Sequence, residues 1–224
     1  QVIQSLLNKQ VDGVIYMSNR LSDEAADAFK RTDTPVVLAG TKDNRDDFAS
    51  VTIDYKKADT EALNLMYHDG KKHLGIVVGD QDAVVNSENR IPAYEEFMEE
   101  NDLGTPRIYT DIKDYSDGYN LYPQLVKDGV DGVIVTRDIS SVGILNSAMD
   151  AGKKVPEDLE IVTASATQLA SVVRPALTTI KQPLYDMGAV AMRMLTKLMN
   201  NEEVDDTHIV LPYELVKKQS TLNQ

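Results

Sequence analysis

Val11-Asp12-Gly13-Val14-Ile15 (VDGVI) returns in the second half of the chain as Val130-Asp131-Gly132-Val133-Ile134. Each copy follows a leucine-containing helical pattern, LLNKQ before the first and LYPQLVKDG before the second. A helix that delivers the chain into a short β-branched run, twice over, predicts two similar α/β units. The apolar runs Val14 to Met17, Pro35 to Ala39, Leu74 to Val78, Val133 to Val135 and Leu159 to Val162 have the length and β-branched content of buried parallel strands. Helical patterns lie between them. They are Ser22 to Arg31 with Ser22 as N-cap, Tyr55 to Asp69 ending at Gly70, Asn86 to Asn101, Tyr115 to Lys127, and Asp138 to Ala151 ending at Gly152. Strand alternating with helix predicts an α/β protein of two doubly wound parallel-sheet subdomains. Ligands of such sheets sit beyond the carboxyl ends of the strands, here the turns after Val78, Val135 and Val162.

At 224 residues, with 42% hydrophobic and 26% charged content, the chain can bury a sizeable core as one large or two small domains. A formal net charge of -13 argues against a grip on a nucleic-acid backbone, which needs clustered Lys and Arg. With no cysteine, disulfides, thiolate metal sites and cysteine nucleophiles are ruled out, and a reducing cytoplasm fits. No apolar run reaches the length of a membrane span and no signal peptide opens the sequence, so a soluble cytoplasmic protein is expected. Gln1 to Gln10 (QVIQSLLNKQ) reads as the end of an amphipathic helix running into a strand, as though the natural N-terminus were missing.

The turns at the strand ends carry polar candidates: Gly79-Asp80-Gln81-Asp82, Thr136-Arg137-Asp138 and Thr163-Ala164-Ser165. Asp138 reads either as the N-cap of the following helix or as a ligand-facing acid. Arg90 can clamp an anionic or hydroxylated ligand or ride a helix surface. There is no Gly-x-Ser-x-Gly elbow, P-loop or Gly-x-Gly-x-x-Gly. The histidines, His68, His73 and His208, lack metal-ligand spacing, and the acidic pairs Asp23-Glu24, Asp46-Asp47 and Glu202-Glu203 read as solvated surface. Neither an enzyme, a metal site nor a cofactor is expected.

Gln182 to Lys197 (QPLYDMGAVAMRMLTK) reads as a helix with two unlike faces. Pro183 suits the first turn, where its missing N–H costs nothing. Met187, Ala191, Met194, Leu195 and Leu198 fall on one side, while Tyr185, Ala189, Arg193 and Lys197 stack on another, flanked by Asp186 and Val190. Two cations one turn apart can converge on a phosphate, and the small neighbours let a partner approach. Equally, Arg193 and Lys197 can be ordinary solvated positions, with Lys197 near the negative end of the helix dipole.

VDGVIYMS, Val51 to Ala58 (VTIDYKKA), Gly70-Lys71-Lys72-His73, Val155 to Ile161 (VPEDLEI), Arg174 to Pro183 (RPALTTIKQP), Leu211-Pro212 and Gln219-Ser220-Thr221 resemble, along the whole chain, landmarks of the lactose/galactose repressor family. The resemblance implies two periplasmic-binding-protein-like subdomains joined by crossover strands. They should comprise 1–79 plus 182–204, truncated at its start, and 80–181 plus 205–224. Within the family, YDMGAVAMRMLTK resembles the catabolite-control branch of Gram-positive bacteria.

That branch implies a transcription regulator of carbon catabolite repression whose core docks the phosphocarrier protein HPr once an HPr serine is phosphorylated. Arg193 and Lys197 would then be the phosphate ligands, with Tyr185, Asp186, Ala189 and Val190 around them, and docking would bias subdomain closure and hence operator binding. Arg90 matches a frequent effector-contacting arginine and Asp138 a common aspartate. Ser165, however, stands where many members carry an effector-binding Asp, and Ala93 where Gly is common. The implied adjunct is a sugar phosphate, glucose 6-phosphate or fructose 1,6-bisphosphate. The family's helix-turn-helix and hinge helix have no counterpart in the sequence, so operator DNA would be met through an N-terminal region absent from this chain. Side-by-side homodimers are expected through Asp138 to Ala151 and the segment after Ser165, with Val142 and Leu145 either at the contact or simply facing the sheet. The alternative is a sugar-binding repressor or transport receptor of the same fold, although 6% aromatics without Trp disfavour a sugar-stacking pocket.

Overall fold

The computed structural model describes residues 9–18, 21–43 and 45–223, so the helical pattern at Gln1 to Gln10 falls largely outside the described residues. The chain divides into two compact units. The first takes Gln1–Asp54, Ala83–Val85 and Pro183–Pro212, and the second Tyr55–Asp82, Asn86–Gln182 and Tyr213–Gln224.

The first unit holds β1 (Val14–Tyr16), α1 (Asp23–Thr32), β2 (Val36–Ala39) and β3 (Ala49–Ile53). The long helix from the Gln182 region and β9 (His208–Leu211) complete it. Its sheet runs β1-β2-β3-β9 and every pairing is parallel. α1 starts where expected: the Ser22 hydroxyl accepts from the Ala25 N–H at 3.2 Å, with Asp23 and Glu24 in the first turn. It stops at Asp33, which takes a left-handed conformation. Phe29 is buried from this helix, edge-on to Tyr16 and Phe48, and with Val14, Val36 and Leu38 forms the unit's core.

The second unit holds α2 (Tyr55–His68), β4 (Leu74–Val77), α3 (Ile91–Glu100), β5 (Ile108–Tyr109), α4 (Tyr115–Lys127), β6 (Gly132–Val135) and α5 (Asp138–Asp150). β7 (Glu160–Thr163), the short α6 (Leu169–Val172), β8 (Thr178–Lys181) and β10 (Glu214–Val216) follow. The sheet order is β10-β8-β7-β6-β4-β5, parallel except where β10 meets β8. Strand apolar residues Val77, Val133, Val135 and Ile161 meet Leu125, Ile144 and Leu145 of the covering helices in one core.

The α/β class with parallel sheets is therefore realised, but the unit boundaries expected at 79/80 and 204/205 are corrected. Residues 55–79 belong to the second unit, because β4 pairs with β6 from Leu74↔Gly132 to Val77↔Val135. Residues 205–212 belong to the first, because β9 lies beside β3 from Ser50↔His208 to Ile53↔Leu211. Alternating strand and helix patterns do not mark which sheet a strand joins. The helix expected over Asn86 to Asn101 is unbroken to Glu100, but its first stretch, Asn86–Arg90, is π-helical and α3 begins at Ile91. Pro92 lacks the N–H that would continue an unbroken α-ladder through that turn. Finally, Val142 and Leu145, offered as dimer contacts, are buried in the second unit's own core. The exposed apolar residues there are Ile139 and Met149 on α5 and Val172 on α6.

Candidate functional site

α7 (Leu184–Met199) carries the feature that most needs explaining. Pro183 precedes it as N-cap, its carbonyl accepting from the Met187 N–H at 2.8 Å, and no proline interrupts it. Met187, Ala191, Met194 and Leu195 are buried toward β1, β2 and β3, each large side chain contributing roughly 1.5–3 kcal/mol by leaving water. Leu198, expected in the same stripe, is only half-buried. The fit is close: a methyl on Gly13 would come within 2.9 Å of Leu195 Cδ1 and 3.0 Å of Met199 Sδ, so the first VDGVI glycine makes room for this helix.

The opposite face is open. Tyr185 is 87% exposed, Asp186, Ala189 and Arg193 are exposed, and Val190 and Lys197 are half-buried. Among the described residues neither Arg193 nor Lys197 forms an ion pair, although most of the ion pairs there join surface groups. The six residues expected to meet a partner thus share one helix, and the two cations stand one turn apart with donors to offer. One exposed apolar neighbour, Met192, extends the surface and escaped the sequence reading, while Leu184 is exposed in the first turn on the other side of the helix. The signal for Met192 was present, since it lies off the buried stripe.

The candidates in the second unit are engaged with other residues of the chain. Arg90 is 3% exposed, donating from Nη1 to Asp59 Oδ1 at 2.6 Å with its guanidinium 5.0 Å from the Tyr55 ring centroid. Burial pushes the Asp59 carboxyl up despite the arginine beside it, and among the described residues Oδ2 has no hydrogen-bond partner. Asp138 is also buried: it accepts from the Thr163 hydroxyl at 2.6 Å and the Thr167 N–H at 2.5 Å. It opens α5 from inside the helix, Arg137 being the N-cap, so the N-cap reading of Asp138 is corrected. Ser165 donates to the Thr136 carbonyl at 2.8 Å. Each of the three thus already holds a partner within the protein, and Asp59 and Thr167 could not have been paired with them from spacing alone.

One constellation resembles catalytic machinery. Ser50 Oγ lies 2.9 Å from His208 Nδ1, and His208 Nε2 lies 2.9 Å from Asp46 Oδ1. Ser50, however, is completely buried in the middle of the first sheet, where no substrate can reach its hydroxyl. The string ties β3, β9 and the Asp46 turn together. Among the described residues no group of three or more His, Asp or Glu could hold a metal ion, and no helix is long and apolar enough to cross a membrane.

Residues 63–221 match the periplasmic binding protein-like domain. The chain is 71% identical over 223 residues to the HTH-type transcriptional regulator pepR1 of Lactobacillus delbrueckii subsp. lactis, covering 100% of this chain and 67% of that protein. It is 36% identical over 226 residues to catabolite control protein A of Staphylococcus epidermidis, covering 99% and 68% respectively. Among solved structures, the transcription regulator CcpA of Lactococcus lactis superposes with a TM-score of 0.93 at 36% identity, covering 98% of this chain and 82% of that one.

Proposed function

The chain belongs to the LacI/CcpA family of transcription regulators, and from that premise we propose that the open face of α7 receives a seryl-phosphorylated partner, the phosphocarrier protein HPr, as corepressor. The observation that carries this reading is the pair Arg193 and Lys197, a turn apart, accessible, and without a carboxylate partner among the described residues. Arg193 supplies a planar fork and Lys197 a point charge to the phosphate, while Tyr185 and Met192 give the partner apolar contact beside it. Ala189 and Val190 keep the middle of the face low enough for close approach, and Asp186 stands at its edge as an acceptor for a partner donor.

Regulation follows if the partner binds the state competent for operator DNA better than the other state; no further device is required. Operator contact belongs, on this reading, to a helix-turn-helix region outside these 224 residues, since a chain of net charge -13 is ill-suited to it. A homodimer completes the picture through Ile139, Met149 and Val172, apolar side chains exposed on α5 and α6. A sugar-phosphate adjunct needs anchors other than Arg90, Asp138 and Ser165, which the fold already employs.

Isothermal calorimetry with phosphorylated and unphosphorylated HPr tests this. Arg193→Ala and Lys197→Ala should each weaken binding of the phosphorylated form about ten- to hundredfold, the loss of a charge-assisted contact worth about 1.5–3 kcal/mol. Affinity that ignores the phosphate, or that survives both substitutions, rejects the assignment.

A further inference from the structure

The geometry points to a second, separate anion site in the second unit: a pocket of about 330 Å³ lined by Ser171, Arg174, Ala176, Lys218 and Gln219 that takes a phosphate dianion, free or on a small metabolite. This site is independent of the α7 face and of the partner proposed for it.

Three polar side chains are pinned at one atom each and keep their other donors. Arg174 Nη1 donates to the carbonyls of Ser171 and Val173 at 3.0 and 2.8 Å, leaving Nε and Nη2. Lys218 Nζ donates to the Ser171 hydroxyl at 2.9 Å, which uses one of its three hydrogens. Gln219 Oε1 accepts the Ala176 N–H at 2.9 Å, which orients its amide nitrogen. The lining contains two cations and no carboxylate, and among the described residues neither cation enters an ion pair. In a chain of net charge -13 such a concentration of unneutralised positive charge is unusual.

The floor beneath is built to stay in place. Thr178 N–H donates to Ser220 Oγ at 2.8 Å, Thr178 Oγ1 and Thr221 Oγ1 are 2.8 Å apart, and Ser220 N–H donates to the Ala176 carbonyl at 3.0 Å. All three hydroxyl residues are fully buried. They lock the 218–219 segment against 174–176, so the sequence landmarks RPALTT and QST have a shared consequence: they hold Arg174, Lys218 and Gln219 convergent before any ligand arrives. Fixed nitrogen donors around a pocket at the small end of ligand-site volumes suit a compact doubly charged oxyanion.

The test is a heteronuclear NMR titration of the 224-residue chain with inorganic phosphate, methyl phosphate and, at matched ionic strength, chloride. The amides of Ala176, Lys218 and Gln219 should shift saturably with both phosphates and not with chloride. Tighter binding of the ester assigns the site to phosphorylated metabolites, and equal or tighter binding of inorganic phosphate to the free ion. Arg174→Gln and Lys218→Gln should each weaken the response at least about tenfold, while Arg193→Ala/Lys197→Ala leaves it unchanged. A non-saturating response of the wild-type chain, an equal response to chloride, or loss of the shifts only in the α7 variant overturns the site, whether or not the glutamine variants fold.

Discussion

Arg90, in the second unit, and Arg193, in the first, are the same side chain in opposite circumstances. Arg90 is 3% exposed and 2.6 Å from Asp59, whereas Arg193 is exposed and has no ion-pair partner among the described residues. Other polar groups of the second unit share Arg90's fate. Lys71 is 7% exposed and donates to the carbonyls of Pro156 and Glu157 at 3.1 and 2.8 Å, and Asp138 and Glu160 are buried behind strand ends. Buried charge in that unit is structural, since leaving any of it unpaired is costly. On α7 neither cation has an ion-pair partner among the described residues, and that is the physical reason for proposing an external job for them.

The largest effect should come from breaking the buried pair. Arg90→Ala strands the fully buried Asp59 and should destabilise the chain by about 3–5 kcal/mol in urea unfolding, whereas Arg90→Met with Asp59→Leu should cost markedly less. If the single variant is as stable as the parent, Arg90 is available to a ligand after all and the contrast with Arg193 collapses.

A pH series sharpens the comparison next. Glu160 is fully buried and accepts the Leu222 N–H at 2.6 Å. Burial first, and then Asp69, push its carboxyl from 4.5 up to about 8, against the pull of the Leu222 N–H and Lys71. Folded Glu160 therefore keeps its proton where the unfolded side chain has lost it. Its contribution is complete below pH 4.5 and is lost as the pH rises toward about 8. Glu160→Gln, which retains the acceptor for Leu222, should flatten the decline of Tm across that window. An unchanged slope would show that the decline originates elsewhere.

The smallest effect belongs to α7. Arg193→Ala and Lys197→Ala should each alter unfolding free energy by less than about 0.5 kcal/mol, as exposed substitutions usually do. A loss above about 1 kcal/mol would reveal a folding role for the cationic row and weaken its reading as a docking surface.

Much of the architecture was legible because its signals are local. Ser22 capping α1, the span of α2 up to Gly70 and the bounds of α4 all follow from capping and periodicity over a few residues. The two faces of α7 were legible for the same reason. β3, β5, β8, β9 and β10 were not identified as strands, and the sheet each strand joins depends on partners far away in the chain, such as Ser50 with His208. The echoed glycines show both levels. Gly13 clears Leu195 and Met199 from α7, whereas a methyl on Gly132 would lie 2.8 Å from Leu74 Cδ2 and 3.1 Å from Met66 Sδ. The repeat was visible in the letters, but the side chains it accommodates were not.

By itself the sequence determined the α/β alternation, the doubled motif, the amphipathic division of α7 and the family likeness, since each is carried by short stretches whose residue order can be read without knowing what they touch. Only the tertiary structure decided which strands share a sheet, that Arg90, Asp138 and Ser165 serve the fold, and that Arg193 and Lys197 remain open. Whether a charge is neutralised depends on what folding brings within a few ångströms of it, and that distance has no counterpart along the chain.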